Sequence, residues 1–116
     1  MSLAAGLRWG VRRKQLVPTL NLDCICEKLG APQFMKIDVE GAEFSVLAGG
    51  IWLFKNYSPA IYMETSLDTF EKSKNLLAPL GYCVFDPSGR ETQEHFANCF
   101  FIHKNDEVHL EKVKCL

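Results

Sequence analysis

Several motifs of common enzyme and metal-binding classes are missing from this sequence. It contains no H-E-x-x-H, no C-x-x-C pair and no serine at a nucleophile elbow, which leaves zinc-protease, zinc-knuckle and hydrolase chemistry without support. No apolar run is long enough to span a bilayer. The formal net charge is only -1, whereas nucleic-acid-binding domains usually carry a strong basic excess. We therefore expect no metal, no membrane and no nucleic acid as partners.

The cysteines form no recognisable pattern either. There are five, an odd number, and Cys24 and Cys26 are too close together for an ordinary zinc knuckle. Cys83 and Cys99 lie in apolar runs, where a free cysteine behaves as a small hydrophobic residue. Reduced thiols are typical of the cytosol, and the apolar start of the chain precedes its basic residues, the reverse of a signal peptide. The sequence therefore predicts a cytoplasmic protein.

Length and composition predict one small folded domain. Hydrophobic residues make up 47% and charged residues 23% of the 116 residues, which is enough apolar material for a core. The patterns divide the chain into an uncertain leader over 1–18, an α/β domain over 19–103 and a charged tail over 104–116. Apolar runs predict four strands, at 34–39, 60–64, 82–86 and 96–103. Helical spacing predicts helices at 21–29, from 41 onward with a weak point at Gly49-Gly50, and at 68–80, where Asp68 and Glu71 fit a capping box.

The order of these elements predicts the architecture of the sheet. Strands that alternate with helices form βαβ crossovers, which give a parallel sheet with helices on both faces. We therefore expect a partial Rossmann-like α/β fold of about four strands, mostly parallel, with a C-terminal antiparallel strand. The first strand is apolar enough for the centre of a sheet. If it is an edge it needs a partner, such as further sequence, a second subunit or the N-terminal segment.

Two carboxylates stand at the end of the first predicted strand. Asp38 and Glu40 lie at the point where open α/β sheets bind ligands. Residues two apart in an extended chain share a side, so both carboxylates converge on one ligand if the strand continues through Glu40. The same residues also have structural interpretations. Asp38 can be the N-cap of the following helix, and Glu40 and Glu43 can stabilise its dipole.

Other polar residues fall near the same edge of the predicted sheet. Glu64 ends the second strand in the position equivalent to Asp38, so an acid there would face the same crevice. Asp38, Glu40 and Glu64 together could hold a hard cation, although no pattern supplies the remaining ligands. His95 could approach the crevice from a loop or be a surface histidine. Asn98 could satisfy a buried backbone group or reach the site.

The segment from Lys36 to Glu43, K-I-D-V-E-G-A-E, is similar to the signature of the FkbM family of S-adenosylmethionine-dependent methyltransferases. The resemblance extends over about 19–103. Flanking matches are Leu22-Asp23, Val46-Leu47, Gly49, the segments 59–64 and 80–82, and the strand that contains Asn98.

This resemblance implies a class I methyltransferase fold, S-adenosylmethionine (SAM) as cofactor, and usually O-methylation of a small-molecule or glycan hydroxyl. It implies that Asp38 and Glu40 lie beside the cofactor methyl group and the substrate hydroxyl, where either could orient that hydroxyl or act as a general base. Glu64 is the third catalytic candidate, and Asp38, Val39 and Gly41 are the candidates for cofactor binding. The glycine-rich loop that family members carry early in the fold has no counterpart here, so the chain looks like the C-terminal half of the fold.

Two hypotheses of function follow from these observations. The first is a SAM-dependent methyltransferase that acts on a small-molecule or glycan acceptor and needs the N-terminal half of the fold. The second is a non-catalytic, methyltransferase-like module that forms a homodimer or docks on a partner through its open sheet edge.

Overall fold

A computed structural model of the chain describes residues 2–4, 15–17 and 19–116. Two short strands, β1 (Ser2–Ala4) and β2 (Gln15–Val17), pair antiparallel with each other; the rest of the predicted leader lies outside the described residues. The main sheet contains β3 (Phe34–Ile37), β4 (Ala60–Glu64), β5 (Tyr82–Phe85) and β6 (Asn98–His103). The helices are α1 (Leu22–Leu29), α2 (Glu43–Ala48), α3 (Ile51–Asn56), α4 (Leu67–Leu77), followed by a 3-10 turn, and α5 (Glu107–Val113). None of these helices is long and apolar enough to cross a membrane.

The strand order in the main sheet is β3-β4-β6-β5. β3 and β4 are parallel, whereas β6 lies between β4 and β5 and runs antiparallel to both. The predicted mostly parallel sheet is therefore wrong, because two of the three strand pairs are antiparallel. The cause is the position of β6, whose buried Cys99, Phe101 and Ile102 place it inside the sheet instead of at its end. In the described sheet, β3 is an edge strand.

Helices cover the two faces of the sheet unequally. Helices α1 to α4 pack on one face, where side chains such as Leu47, Phe54 and Ile61 form the main core. On the other face α5 covers a smaller cluster through Val113. Full burial of such side chains stabilises the fold by about 1.5–3 kcal/mol each. The larger core therefore holds α2 and α4 in place, and these are the helices that follow the candidate site residues.

The start of α1 packs closely against the junction between α2 and α3. The weak point predicted at Gly49-Gly50 does separate two helices. A Cβ added at Gly49 would lie 2.9 Å from the Cβ of Asn21, and one added at Gly50 would lie 2.9 Å from a ring carbon of Phe54. Both distances are shorter than carbon atoms tolerate. Glycine is therefore needed at this junction so that α1 can approach it.

This close approach lets one helix cap another. The carboxylate of Asp23, in the first turn of α1, accepts hydrogen bonds from the backbone N–H groups of Trp52 at 3.2 Å and Leu53 at 2.9 Å. These donors lie in the first turn of α3 and have no partner within their own helix. Asp23 therefore replaces the side-chain cap that Gly50, at the N-cap position of α3, cannot provide.

The start of α4 differs from the predicted capping box. The hydroxyl of Ser66 accepts the N–H of Thr69 at 3.3 Å, and the hydroxyl of Thr69 accepts the N–H of Ser66 at 3.0 Å. Asp68 lies inside the helix and forms an exposed ion pair with Lys72. The helix begins before the predicted N-cap because two hydroxyl side chains already satisfy its first donors.

The five cysteines are all free, in agreement with the expectation of reduced thiols. Cys26 and Cys99 are buried and Cys115 is exposed. Burial raises the pKa of Cys99 to about 11 and also raises the pKa of Cys26. The buried Tyr82, whose hydroxyl donates to the carbonyl of Pro59 at 2.7 Å, has its pKa raised for the same reason. These groups are therefore neutral at physiological pH.

Replacing Asp23 by Ala should lower the free energy of unfolding by about 1–2 kcal/mol, because α3 loses its cap. Urea denaturation of both proteins measures the difference. The matched control is Glu27→Ala on the same helix, an exposed position that should change stability by no more than about 0.5 kcal/mol. Equal effects of the two substitutions would show that the Asp23 contacts do not stabilise α3.

Stability should decline at alkaline pH. The folded pKa of Cys99, about 11, lies above the ordinary value of 9.0, so the folded state holds this proton more tightly than the unfolded state. The stabilisation is complete below pH 9 and is lost as the pH rises through 11. Urea denaturation from pH 7 to 11 should show a smaller decline above pH 9 in Cys99→Ala, but not in Cys115→Ala. A slope that Cys99→Ala leaves unchanged would contradict this assignment.

Candidate functional site

The carboxyl ends of β3 and β4 and the start of β6 lie at one edge of the sheet. Ile37 is aligned with Met63 in the parallel pair, so the residues that follow them, Asp38 and Glu64, lie next to each other. Neighbouring strands are about 4.8 Å apart. Glu64 is aligned in turn with Asn98. The structure thus brings three of the predicted polar residues together at one end of the sheet.

The chain turns before Glu40 can extend the strand. β3 ends one residue before Asp38, and the backbone φ angles at Glu40 and Gly41 are +44° and +95°. The N–H of Ala42 donates to the carbonyl of Val39 at 3.3 Å, and positive φ at both central residues is typical of a type I′ turn. The condition under which Asp38 and Glu40 would share one side of an extended strand is therefore not met, because the strand does not reach Glu40.

This turn presents its acidic residues to solvent. All residues from 38 to 41 are exposed. A left-handed conformation at a residue other than glycine costs about 1–2 kcal/mol, so Glu40 is held in a conformation that it does not prefer. The N-cap position of α2 is occupied by Ala42, with no side-chain cap. The interpretation of Asp38 as a helix cap is therefore also wrong.

Glu43 lies in the first turn of α2, where its spacing predicts an acid that can stabilise the helix dipole. The sequence does not predict its burial, since Glu43 is only 3% exposed. Its Oε1 accepts the N–H of Gly41 at 3.1 Å, while its Oε2 is buried without a hydrogen-bond partner among the described residues. Sequence spacing could not reveal this burial, because it depends on the packing of α2 against α4.

The segment before β6 is fastened to the residue that follows Glu64. The N–H of Thr65 donates to the carbonyl of Ala97 at 2.7 Å. The Nε2 of His95 lies 3.0 Å from the carbonyl oxygen of Thr65 and must be its donor, since a carbonyl only accepts. The imidazole also packs edge-on against Phe70, at 5.3 Å between ring centroids. His95 therefore lies near the end of the sheet that carries Asp38, Glu40 and Glu64, which we call the acidic edge. Its Nε2–H group holds the segment before β6 to Thr65.

The acids at this end of the sheet are not gathered into one cluster. Among the described residues, no group of three or more His, Cys, Asp or Glu side chains is arranged to hold a metal ion. Asp38 and Glu64 follow paired strands, whereas Glu40 lies on the turn and Glu43 is buried.

A cavity lies at the opposite end of the sheet. It has a volume of about 590 Å³ and is lined by residues such as Gln33, Pro59 and His103, which precede β3 and β4 or end β6. Asp106, also in its lining, accepts both the backbone N–H of His109 at 3.2 Å and its ring Nδ1–H at 2.7 Å. That pair is the cap of α5, so it has a structural explanation. The predicted site is thus an exposed surface and not this cavity.

Comparison with family models identifies the family of the chain. The model of the methyltransferase FkbM domain matches residues 7–101, which include β3, the turn at Glu40-Gly41 and β4. Comparison with curated proteins and with solved structures gave no match. Because the family model covers most of the chain, the protein belongs to the FkbM methyltransferase family.

Proposed function

We propose that the chain acts in SAM-dependent methyl transfer to a hydroxyl oxygen of a small molecule or glycan. The observation that carries this proposal is the exposed acidic edge formed by Asp38, Glu40 and Glu64 inside the segment that matches the methyltransferase family. Ligands of open α/β sheets bind at the carboxyl ends of the strands, and this edge is such a place. The cavity at the other end of the sheet is not lined by any residue of the segment from Lys36 to Glu43.

The residues of this edge fit one side of a site for SAM. The cofactor carries a positively charged sulfonium and, when bound, supplies an electrophilic methyl group. The exposed carboxylates of Asp38 and Glu40 favour a cationic ligand. A Cβ at Gly41 would meet no atom within 4 Å, so this backbone has space beside it that a ligand can approach. We assign Asp38, Val39 and Gly41 to cofactor binding on this basis.

The two neighbouring carboxylates can have different roles toward the acceptor hydroxyl. Asp38 and Glu64 lie side by side at the ends of paired strands, so one can hold the acceptor hydroxyl while the other accepts its proton. A positioned general base is worth about 10²–10⁴-fold in rate. Glu40, on the turn, is placed to orient the acceptor or to balance the charge of the cofactor.

The described residues provide only one wall of such a site. Methyl transfer requires alignment of the acceptor oxygen with the methyl group, and an exposed surface cannot impose it alone. The second wall must lie beside the free edge of β3. Its source is either the N-terminal half of the fold or a second copy of the chain. We place the activity in the cytoplasm, in keeping with the five free cysteines.

A second candidate function is a non-catalytic module that pairs through β3. In the described sheet β3 has one neighbour only. Phe34 is 47% exposed and Val39 is 42% exposed, and an apolar edge strand readily recruits another strand. This observation favours a homodimer or a docked partner irrespective of catalysis.

The sequence around β3 is suited to antiparallel pairing with the same segment of a second copy. If pairing extends β3 by two residues beyond its observed end at Ile37, an antiparallel pair centred on Ile37 places Met35 opposite Val39 of the second copy and Lys36 opposite Asp38 of the second copy. The apolar pairs share one face and the opposite charges share the other, which is the favourable arrangement for cross-strand neighbours. Neither Lys36 nor Asp38 takes part in the ion pairs among the described residues.

Asp38→Asn should weaken SAM binding about tenfold or more, because a hydrogen bond to a charged group contributes about 1.5–3 kcal/mol. Isothermal titration of SAM into the two proteins measures this difference. Asp68→Asn, at an exposed position on α4, is the matched control and should bind as the unmodified chain does. A folded protein that binds neither SAM nor its demethylated product would contradict the cofactor assignment.

Exchanging the two charges tests pairing through β3. Lys36→Asp and Asp38→Lys should each weaken self-association about two- to fivefold, because each places like charges opposite one another. The double variant K36D/D38K should restore it. Sedimentation velocity over a range of concentrations measures the association, with Lys55→Asp on α3 as a control that should change nothing. A chain that is monomeric at every concentration, or a double variant that stays weak, would rule out this register.

A further inference from the structure

The side chain of Glu43 is buried, and its two carboxylate oxygens have different surroundings. It is 3% exposed, and its Oε1 accepts the N–H of Gly41 at 3.1 Å. Its Oε2 is also buried but has no hydrogen-bond partner among the described residues. A buried polar atom without a partner destabilises the folded state. Stability of the core therefore does not explain a carboxylate at this position.

The bond to Gly41 fixes a segment that would otherwise relax. Glu40 has a left-handed φ of +44°, which residues other than glycine avoid. One hydrogen bond within the turn, from the N–H of Ala42 to the carbonyl of Val39 at 3.3 Å, helps to hold this conformation. A second hydrogen bond, from the N–H of Gly41 to Oε1 of Glu43, joins the exposed turn to a side chain that is buried at the start of α2.

The anchor itself is well held. α2 packs against α4, and Leu47, one helical turn after Glu43, is fully buried. A carboxylate fixed in this way restrains the residues joined to it more strongly than an exposed side chain could. The buried helix α2 is therefore connected to the acidic edge by the hydrogen bond between the Glu43 carboxylate and Gly41, the residue after Glu40.

We infer that Glu43 is a positioning residue, which holds the turn from Val39 to Ala42 in its left-handed conformation and so sets the direction in which Asp38 and Glu40 face a ligand. Its effect on ligand binding rests on the function proposed above. Its effect on the turn does not, because the turn is observed in the chain itself.

Two substitutions separate positioning from stability. Glu43→Met keeps the length of the side chain and removes both oxygens, so the bond to Gly41 and the partnerless Oε2 disappear together. Glu43→Gln keeps an oxygen that can accept the N–H of Gly41. The readouts are the solvent-exchange rate of the Gly41 amide by NMR, the melting temperature, and the Kd for SAM. Glu27→Met, at an exposed position on α1, is the control.

In Glu43→Met we expect the Gly41 amide to exchange about tenfold faster or more, with a melting temperature equal to or higher than that of the unmodified chain. The Kd for SAM should rise. Glu43→Gln should retain slow exchange at Gly41 and most of the affinity, and Glu27→Met should change neither.

Unchanged exchange at Gly41 in Glu43→Met would overturn the inference. A lower melting temperature, or failure of this variant to fold, would also overturn it, because Glu43 would then be a structural residue of the core. If the unmodified chain binds no SAM but exchange at Gly41 responds as expected, the proposed function fails while the positioning role stands.

Discussion

The position of β6 inside the sheet is the constraint on which the remaining structure depends. β6 is bonded to β4 on one side and to β5 on the other. Cys99 and Phe101 are fully buried, and the ring of Phe101 lies 6.3 Å from that of Phe70 in α4. Because β6 occupies the second side of β4, the edge strands of the described sheet are β3 and β5. The acids that follow β3 and β4 consequently lie beside the β3 edge, where another polypeptide can add.

The acidic edge consists of parts with different rigidity. Glu64 ends a strand that is paired on both sides, and the residue after it is tied to the loop of His95. Glu40 lies on a turn where its φ angle is left-handed, which is unfavourable for glutamate. The buried carboxylate of Glu43 accepts a hydrogen bond from Gly41 in the same turn. A ligand at this edge would therefore meet Glu64 on a backbone held by two neighbouring strands, and Glu40 on a turn whose conformation depends on a buried side chain. In the proposed function, ligand binding at this edge has two separate requirements. The turn must keep its conformation, and a second wall must close the site.

Features that depend on neighbouring residues could be predicted from the sequence. The bounds of β4, the end of α1 at Gly30 and the division between α2 and α3 all agree with the predictions, because they depend on apolar spacing and on glycine. The predicted end of β3 was wrong by two residues and the predicted start of α4 by one residue, since turn and cap hydrogen bonds decide them. Ser66 and Thr69 cap α4, whereas the sequence predicted a capping box of Asp68 and Glu71.

The sequence by itself determined the α/β class, the family and the location of the acids at the ends of two strands, because hydrophobic periodicity and a local signature carry that information. Only the tertiary structure decided which strands pair, since β6 joins β4 across more than thirty residues of chain. It also decided that Glu43 is buried and bonded to Gly41 while Glu40 is exposed. These two acids are close in sequence and similar in chemistry. What separates them is their place in the fold, since Glu40 lies on an exposed turn and Glu43 is the first residue of α2, a helix that packs against α4.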